Sequence, residues 1–250
     1  MKIWVNHSLV DSSGYLDAKN WPLGTGLFET IRTENGSPQF LARHMRRVLA
    51  SGRELSIAIP SEDVISEAIE TLLAATPHKI GKLRLSFSAE RFIATHEVYE
   101  DDSAPFKAIV GQNAGMTSGR QHKVFPYGAR MDLLQAAIAV GCDEVILIDA
   151  EDRVLEGAVS NFAFRVDGQW RTTPITAGIL PGVIRAIAIE ECGVVVKDLT
   201  RSDISRCEAA IVMSSLKLAR PISSIDGRSL AVDSDVSDIC SKLRQLATSH

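Results

Sequence analysis

The ten residues Gly111-Gln112-Asn113-Ala114-Gly115-Met116-Thr117-Ser118-Gly119-Arg120 are small or polar almost throughout. A segment of that composition has little apolar surface to bury, so it reads as a connector and divides the chain. Two hundred and fifty residues is also long for one compact core, which makes two domains of ordinary size the expectation. We place an N-terminal domain at 1–112, the connector at 113–121 and a C-terminal domain at 122–250.

Composition narrows the class of protein. Hydrophobic residues make up 45% and charged residues 23%, as in ordinary globular chains and unlike disordered or disulfide-dense ones. The net charge is −4, with no basic excess to spread over a phosphate backbone, so no nucleic-acid partner is expected. The longest apolar runs, at 145–148 and 209–213, are far shorter than the roughly 20 residues a membrane-spanning helix requires. Met1-Lys2-Ile3-Trp4-Val5 meets Asn6 and His7 too soon for a signal peptide and reads as a first strand, so a cytoplasmic protein is expected. Cys142, Cys192, Cys207 and Cys240 form no C-x-x-C pair, so neither a metal site nor a disulfide framework is suggested.

Patterning fills in the two halves. The run 27–33 leads through Glu34-Asn35-Gly36-Ser37 into 39–41, and Asn-Gly between apolar-rich segments signals a hairpin. A helix is predicted over 41–55. Ser61 is the expected N-cap of a second one, in which Val64, Ile65, Ala68, Ile69, Leu72 and Leu73 recur at three-to-four spacing. Strands at 82–88 and 106–111 follow. Beyond the connector come a helix at 131–140 stopped by Gly141, a hairpin of 144–149 and 153–156, and a second hairpin turning at Asp167-Gly168. A helix at 182–191, strands at 194–197 and 209–213 and a closing helix at 235–246 complete the reading. Meandering strands with helices among them indicate α+β domains rather than a doubly wound sheet. There is no G-x-G-x-x-G after a strand and no Walker loop.

Lys123 stands just past the connector, followed by Val124, Phe125, Pro126 and Tyr127. Such a setting could bury the amine and lower its pKa, but on local sequence alone a strand-edge lysine facing water is the favoured reading. The wider pattern weighs on this choice. Gly26-Leu27-Phe28-Glu29-Thr30-Ile31-Arg32, His44-Met45-Arg46-Arg47, Lys123 before Gly141-Cys142-Asp143-Glu144, Val154-Leu155-Glu156 before Ser160-Asn161, Thr173-Pro174 and Gly178-Ile179-Leu180-Pro181-Gly182-Val183-Ile184-Arg185 follow one another in that order. Together they resemble the class-IV, fold type IV pyridoxal-phosphate-dependent enzymes, a family of branched-chain aminotransferases, D-amino-acid and (R)-selective amine transaminases and 4-amino-4-deoxychorismate lyases. The resemblance implies a smaller N-terminal α/β domain, a larger C-terminal mixed α/β pseudo-barrel domain, pyridoxal 5′-phosphate as cofactor, a small-molecule amino substrate and a homodimer.

Roles follow by the same resemblance. Lys123 resembles the lysine that takes the cofactor aldehyde, and Glu156 the carboxylate under the pyridine nitrogen, where a fixed anion keeps the ring protonated. Arg47 resembles the phosphate arginine, a task suited to a planar, permanently charged fork. Arg46, about 100° away around the helix, reads as a surface residue. Gly182-Val183-Ile184 resembles the turn whose amides meet the phosphate as a helix begins. Ile184 replaces the threonine of many relatives, so Val183 and Ile184 are expected to serve through their backbone and Ser215 to share the phosphate. Tyr127 matches a tyrosine that bonds the ring oxygen in some relatives, with Pro126 in place of the usual asparagine. Arg84 and Arg32 are the candidates for a substrate carboxylate, since an arginine fork is the natural partner for that group. His44, three residues before Arg47, reads as a structural residue of the helix.

The short chain and the wording of 27–32 favour a 4-amino-4-deoxychorismate lyase, which eliminates pyruvate to leave 4-aminobenzoate for folate synthesis. A class-IV aminotransferase acting on branched-chain or other amino acids with a 2-oxo acid acceptor is the alternative. A cofactor-free family member with a binding role is the second.

Overall fold

The computed structural model describes residues 1–113 and 121–248, which divide into two units. The first comprises Met1–Asp101 and His122–Tyr127; the second takes the described residues from Asp102 onward apart from that short return.

Unit 1 contains β1 (Lys2–Val5), β2 (Ser8–Asp11), β3 (Gly26–Glu34), β4 (Ser37–Pro38), α1 (Leu41–Leu55), α2 (Glu62–Ala75), β5 (Ile80–Phe87) and β6 (Phe92–Val98). After β7 (Phe106–Gln112), which belongs to unit 2, the chain returns to unit 1 as β8 (Val124–Phe125). The sheet runs β2-β1-β6-β5-β3-β4, with β8 added beside β3, and every pairing in it is antiparallel. Asn35 and Gly36 both take positive φ, 48° and 80°, which matches the right-handed twist of β3 and β4 and closes the expected hairpin tightly. Alternation assigns the faces of the central pair. Leu27, Glu29 and Ile31 of β3 share one face with Leu83, Leu85 and Phe87 of β5, and the apolar members of that set pack with Val48 of α1 and Ile65, Ile69 and Leu72 of α2. Phe28 and Thr30 share the opposite face with their partners Ser86 and Arg84.

Unit 2 continues from β7 with α3 (Gly128–Ala139), β9 (Glu144–Ile148), β10 (Val154–Gly157), β11 (Asn161–Val166), β12 (Gln169–Thr172), a 3-10 turn at Ile175–Ala177, and α4 (Val183–Glu191). Next come β13 (Val195–Val196), α5 (Arg201–Arg206), β14 (Ala209–Ser214), β15 (Leu218–Ile225), β16 (Arg228–Ser229) and α6 (Ser234–Thr248). The strand order is β10-β9-β7-β15-β14-β11-β12-β13, with β16 on β15, and β7 lies parallel to both β9 and β15. A bridge between Arg153 and Thr200 joins the two ends of this order, reinforced by Val154 N–H to Leu199 C=O at 2.8 Å. The sheet therefore curls back on itself as the pseudo-barrel the resemblance implied. Ile146 and Ile148 of β9 point into one apolar core and Val145 and Leu147 into another that includes Ala137 of α3. Burial on both faces explains why β9 is an unbroken apolar run.

The structure divides the chain differently from composition. β7, read as the end of the N-terminal half, finds its partners in the second sheet, while 122–127, read as the start of the C-terminal half, pairs in the first. Of the expected connector, 114–120 lie outside the described residues. β6, β15 and α5 were not expected, and α3 begins at Gly128, earlier than the apolar pattern indicated. Among the described residues no helix is long and apolar enough to cross a membrane, and no cluster of three or more His, Cys, Asp or Glu is placed to hold a metal ion.

Candidate active site

In unit 1, Lys123 is fixed by its backbone: its carbonyl accepts the Phe28 amide at 2.9 Å, and Val124 and Phe125 pair with Leu27 and Gly26. The Lys123 amine lies 4.5 Å from the centroid of the Phe28 ring and 5.2 Å from that of Tyr127. Trp21 completes an aromatic cluster, its ring 5.0 Å from Phe28 and 5.7 Å from Tyr127. The Phe125–Pro126 peptide that leads to Tyr127 is cis.

Arg84 borders the same cluster. Its guanidinium stacks 3.8 Å over Trp21 and lies 6.0 Å from Phe28, so one phenyl ring has Lys123 on one flank and Arg84 on another. Arg84 is 8% exposed; Nη1 donates to the Asn20 carbonyl at 3.2 Å, and Nε has no hydrogen-bond partner among the described residues. Burial lowers its pKa against the pull of Glu97 and Asp17. A stacked arginine with a buried unpaired donor is chemically ready for an anion.

Behind β3, on the helix side, Glu29 is the hub of a buried cluster. Arg47 donates to it through Nε at 2.8 Å and Nη2 at 2.5 Å, and His44 Nδ1 lies 2.7 Å from the second oxygen. Burial works to raise the Glu29 pKa, but the Arg47 charge and the contacts of His44 overcome it and hold the carboxyl at about 2. Burial dominates at His44 and lowers its pKa, so the ring is neutral and its Nδ1–H serves the carboxylate. Arg46, one residue away, is exposed, as the helical angle requires. Arg32 is committed elsewhere in unit 1. It is 1% exposed and donates to Glu34 at 2.6 Å and to Asp101 at 2.7 Å, which places two carboxylates on the guanidinium that had been a substrate candidate.

Unit 2 carries the remaining residues. Glu156, at the end of β10, is buried. Its Oε1 accepts from Arg130 Nη2 at 2.8 Å, and its Oε2 from Asn161 Nδ2 at 3.1 Å and the Leu180 amide at 2.9 Å. A charged donor on one oxygen and two amide donors on the other favour the ionised form of such a carboxyl. Arg130 was not singled out from sequence, because it acts on Glu156 only through the fold. Leu180 and Asn161 stood in motifs without a role. At the start of α4, Val183 and Ile184 are buried and Gly182 is the N-cap with no side-chain cap bond, leaving the first-turn amides to the backbone's own partners or a ligand. Gly182 has ordinary φ, and its requirement is spatial: a Cβ there would run into Asn161 Oδ1. Gly182→Ala is therefore expected to displace Asn161, loosen Glu156 and cost about 1–3 kcal/mol in denaturant melts, with a weakened cofactor complex in equilibrium dialysis. Ser215 is half-buried in the β14–β15 turn.

Each unit carries donors that fit one part of an aldehyde-bearing, phosphorylated pyridine. In unit 1 a primary amine on an aromatic wall suits the aldehyde; in unit 2 a buried carboxylate suits a protonated ring nitrogen and a helix start with no side-chain cap suits the phosphate. The sequence model of the family described as Amino-transferase class IV matches residues 26–225. A Methanocaldococcus jannaschii protein provisionally named a branched-chain-amino-acid aminotransferase is 27% identical over 98% of this chain and 94% of its own. A D-alanine aminotransferase of Listeria monocytogenes is 25% identical over 92% of this chain and 90% of its own. The crystal structure of a Legionella pneumophila protein provisionally named a 4-amino-4-deoxychorismate lyase superposes with a TM-score of 0.81 at 25% identity, covering 90% of this chain and 92% of that one. The chain belongs to the class IV aminotransferase family and is a pyridoxal-phosphate-dependent enzyme.

Proposed function

We propose that the protein is a 4-amino-4-deoxychorismate lyase. The observation that carries this reading is the Phe28 ring flanked by the Lys123 amine and the buried Arg84, with Trp21 and Tyr127 around it. An aromatic wall with an arginine suits a flat cyclic substrate bearing carboxylates better than an aliphatic side chain. Bound pyridoxal phosphate supplies an electron sink for the charge left on the substrate carbon.

The chain's own groups do the rest. Lys123 Nζ would hold the cofactor covalently, and its free amine would be the base that takes the proton from the substrate carbon bearing the amino group. Glu156 would keep a proton on the ring nitrogen. In unit 2 the amides of Val183 and Ile184 and the Ser215 hydroxyl would serve the phosphate; in unit 1 Arg47 would do the same and the Tyr127 hydroxyl would serve the ring oxygen. Glu29 fixes the plane of the Arg47 guanidinium. Arg84 takes a substrate carboxylate, and Arg32 serves the fold through Glu34 and Asp101. Loss of that proton would be followed by cleavage of the C–O bond to release enolpyruvate, whose CH2 carbon takes a proton back to give pyruvate, and the aromaticity of the 4-aminobenzoate left behind makes the step favourable. We also propose a homodimer, which light scattering of the holoenzyme tests.

A second reading, an aminotransferase for branched-chain or other amino acids, is favoured by the names of the Methanocaldococcus and Listeria relatives. Incubation with aminodeoxychorismate should yield pyruvate and 4-aminobenzoate. Glutamate formed from an amino-acid panel with 2-oxoglutarate, and no 4-aminobenzoate, would instead establish the aminotransferase. Arg84→Gln should raise KM for aminodeoxychorismate about 10–100-fold, the worth of a charged hydrogen bond, with kcat changed far less. An unchanged KM would remove Arg84 from the substrate.

A further inference from the structure

We propose that Lys217 is a positioning residue that ties the turn carrying Ser215 to the turn beside Glu156, and so sets the spacing of two cofactor contacts. The proposal rests on the reading of Ser215 and Glu156 as such contacts. Lys217 lies two residues past Ser215, in the tight connection between β14 and β15. Its Nζ donates to Ser160 Oγ at 3.1 Å, and Ser160 Oγ donates to Glu144 Oε2 at 2.7 Å. An ammonium can only donate and a carboxylate can only accept, so the serine hydroxyl has one possible orientation and the chain of bonds has a direction. Lys217 Nζ is also 3.8 Å from Glu144 itself.

The other end of this chain of bonds reaches Glu156. Glu144 Oε1 accepts the amides of Val145 at 3.2 Å and Ala158 at 3.0 Å. Its carboxyl carbon would be 3.0 Å from a Cβ added to Gly157, and Gly157 N–H closes the turn on the Ser160 carbonyl at 2.7 Å. Residues 157–160 are thus clamped from beneath by Glu144 and from the side by Lys217. The two residues that leave this turn are Glu156 and Asn161, which bond each other at 3.1 Å.

Two features show that the clamp is more than a convenient packing solution. Burying a lysine and a glutamate together is costly, and apolar residues of similar volume would serve stability as well. Burial lowers the Lys217 pKa despite Glu144, with Arg220 adding a like charge nearby. The connection it anchors is also strained. Leu218, fully buried, sits at φ 59°, in the left-handed region that costs a branched side chain energy and persists only where its surroundings over-determine it. Lys217, the residue before it, is the side chain of that connection bonded to the Ser160–Glu144 pair.

The test compares wild type, Lys217→Met and the double variant Lys217→Met/Glu144→Gln, which removes both charges. Melting of the apo chain and the dissociation constant for pyridoxal 5′-phosphate by equilibrium dialysis are measured on each. Lys217→Met is expected to lower the apo melting temperature, because Glu144 is left buried without its cation, and the double variant to recover it. Cofactor affinity should be at least tenfold weaker in both, and the pH titration of the visible band shifted in both. A double variant that binds as tightly as wild type, or affinities that merely follow the melting temperatures, overturns the proposal. If wild type itself forms no borohydride-reducible band on Lys123, the reading of the cofactor site falls and the proposal with it. A normal wild-type band with unaltered variants removes the tether alone.

Discussion

Replacing Lys123 with alanine is expected to abolish the visible absorption band of the holoenzyme and lower turnover by at least the roughly 10²–10⁴-fold attributable to a positioned base. The expectation is this strong because one amine is assigned two tasks. In the proposed function it anchors the cofactor and moves the proton. Two basic side chains of unit 1 are unsuited to take over: His44 is buried, neutral and directed at Glu29, while Arg84 stays charged and cannot act as a base. Borohydride reduction of wild type followed by peptide mass spectrometry should place the cofactor on Lys123. An adduct on another lysine would remove the central assignment.

Glu29→Gln should destabilise the protein by roughly 3–5 kcal/mol, the cost of leaving a buried guanidinium without its counter-charge, or on the order of 10 °C in melting temperature for a chain of this size. The glutamine amide would also bring donors towards Arg47 and His44, which already donate. The pH dependence gives an independent reading. The Glu29 carboxyl titrates at about 2 when folded against an ordinary value of 4.5, so the unfolded chain takes up the proton first as pH falls. Its stabilising contribution is fully present above pH 4.5 and is lost as pH falls towards 2. Denaturant melts of both proteins across that window should show the wild-type advantage shrinking with acid. A constant gap would mean that the charge on Glu29 is not what stabilises the cluster.

Much of the fold was legible in local patterns because local physics controls those elements. Helix α1 has the bounds its apolar spacing indicated, and the turns at Asn35-Gly36 and Asp167-Gly168 lie where residues tolerant of positive φ permit a two-residue reversal. Other elements were hidden for identifiable reasons. β6 is buried along most of its length, so it shows no alternation, and its His96 bonds Thr33 and the Thr76 carbonyl inside unit 1. β15 contains Pro221, which argues against a central strand. Helix α5 was missed although Thr200 and Asp203 form a capping box, a signal readable from their spacing. The domain assignment followed composition, but parallel pairing of β7 with β9 and β15 is a long-range choice that composition does not encode.

The site divides similarly. Lys123, Arg47 and Glu156 sit in motifs with distinctive flanks. Trp21, Arg130, Asn161 and Lys217 act only through what the fold places beside them. Arg32 shows the converse: its motif invited a substrate role, and its two carboxylate partners became evident only with tertiary contacts.

The strand bearing Lys123 also bears on biosynthesis. Unit 1 is discontinuous, its β8 lying beyond the first stretch of unit 2. On a ribosome, residues 1–101 can pair six strands and pack both helices, but Gly26 and Leu27 must wait for Phe125 and Val124 to emerge before the flank of β3 is covered. A nascent chain halted near residue 101 would present a hydrogen-bonding flank open to intermolecular pairing until the reactive amine arrives.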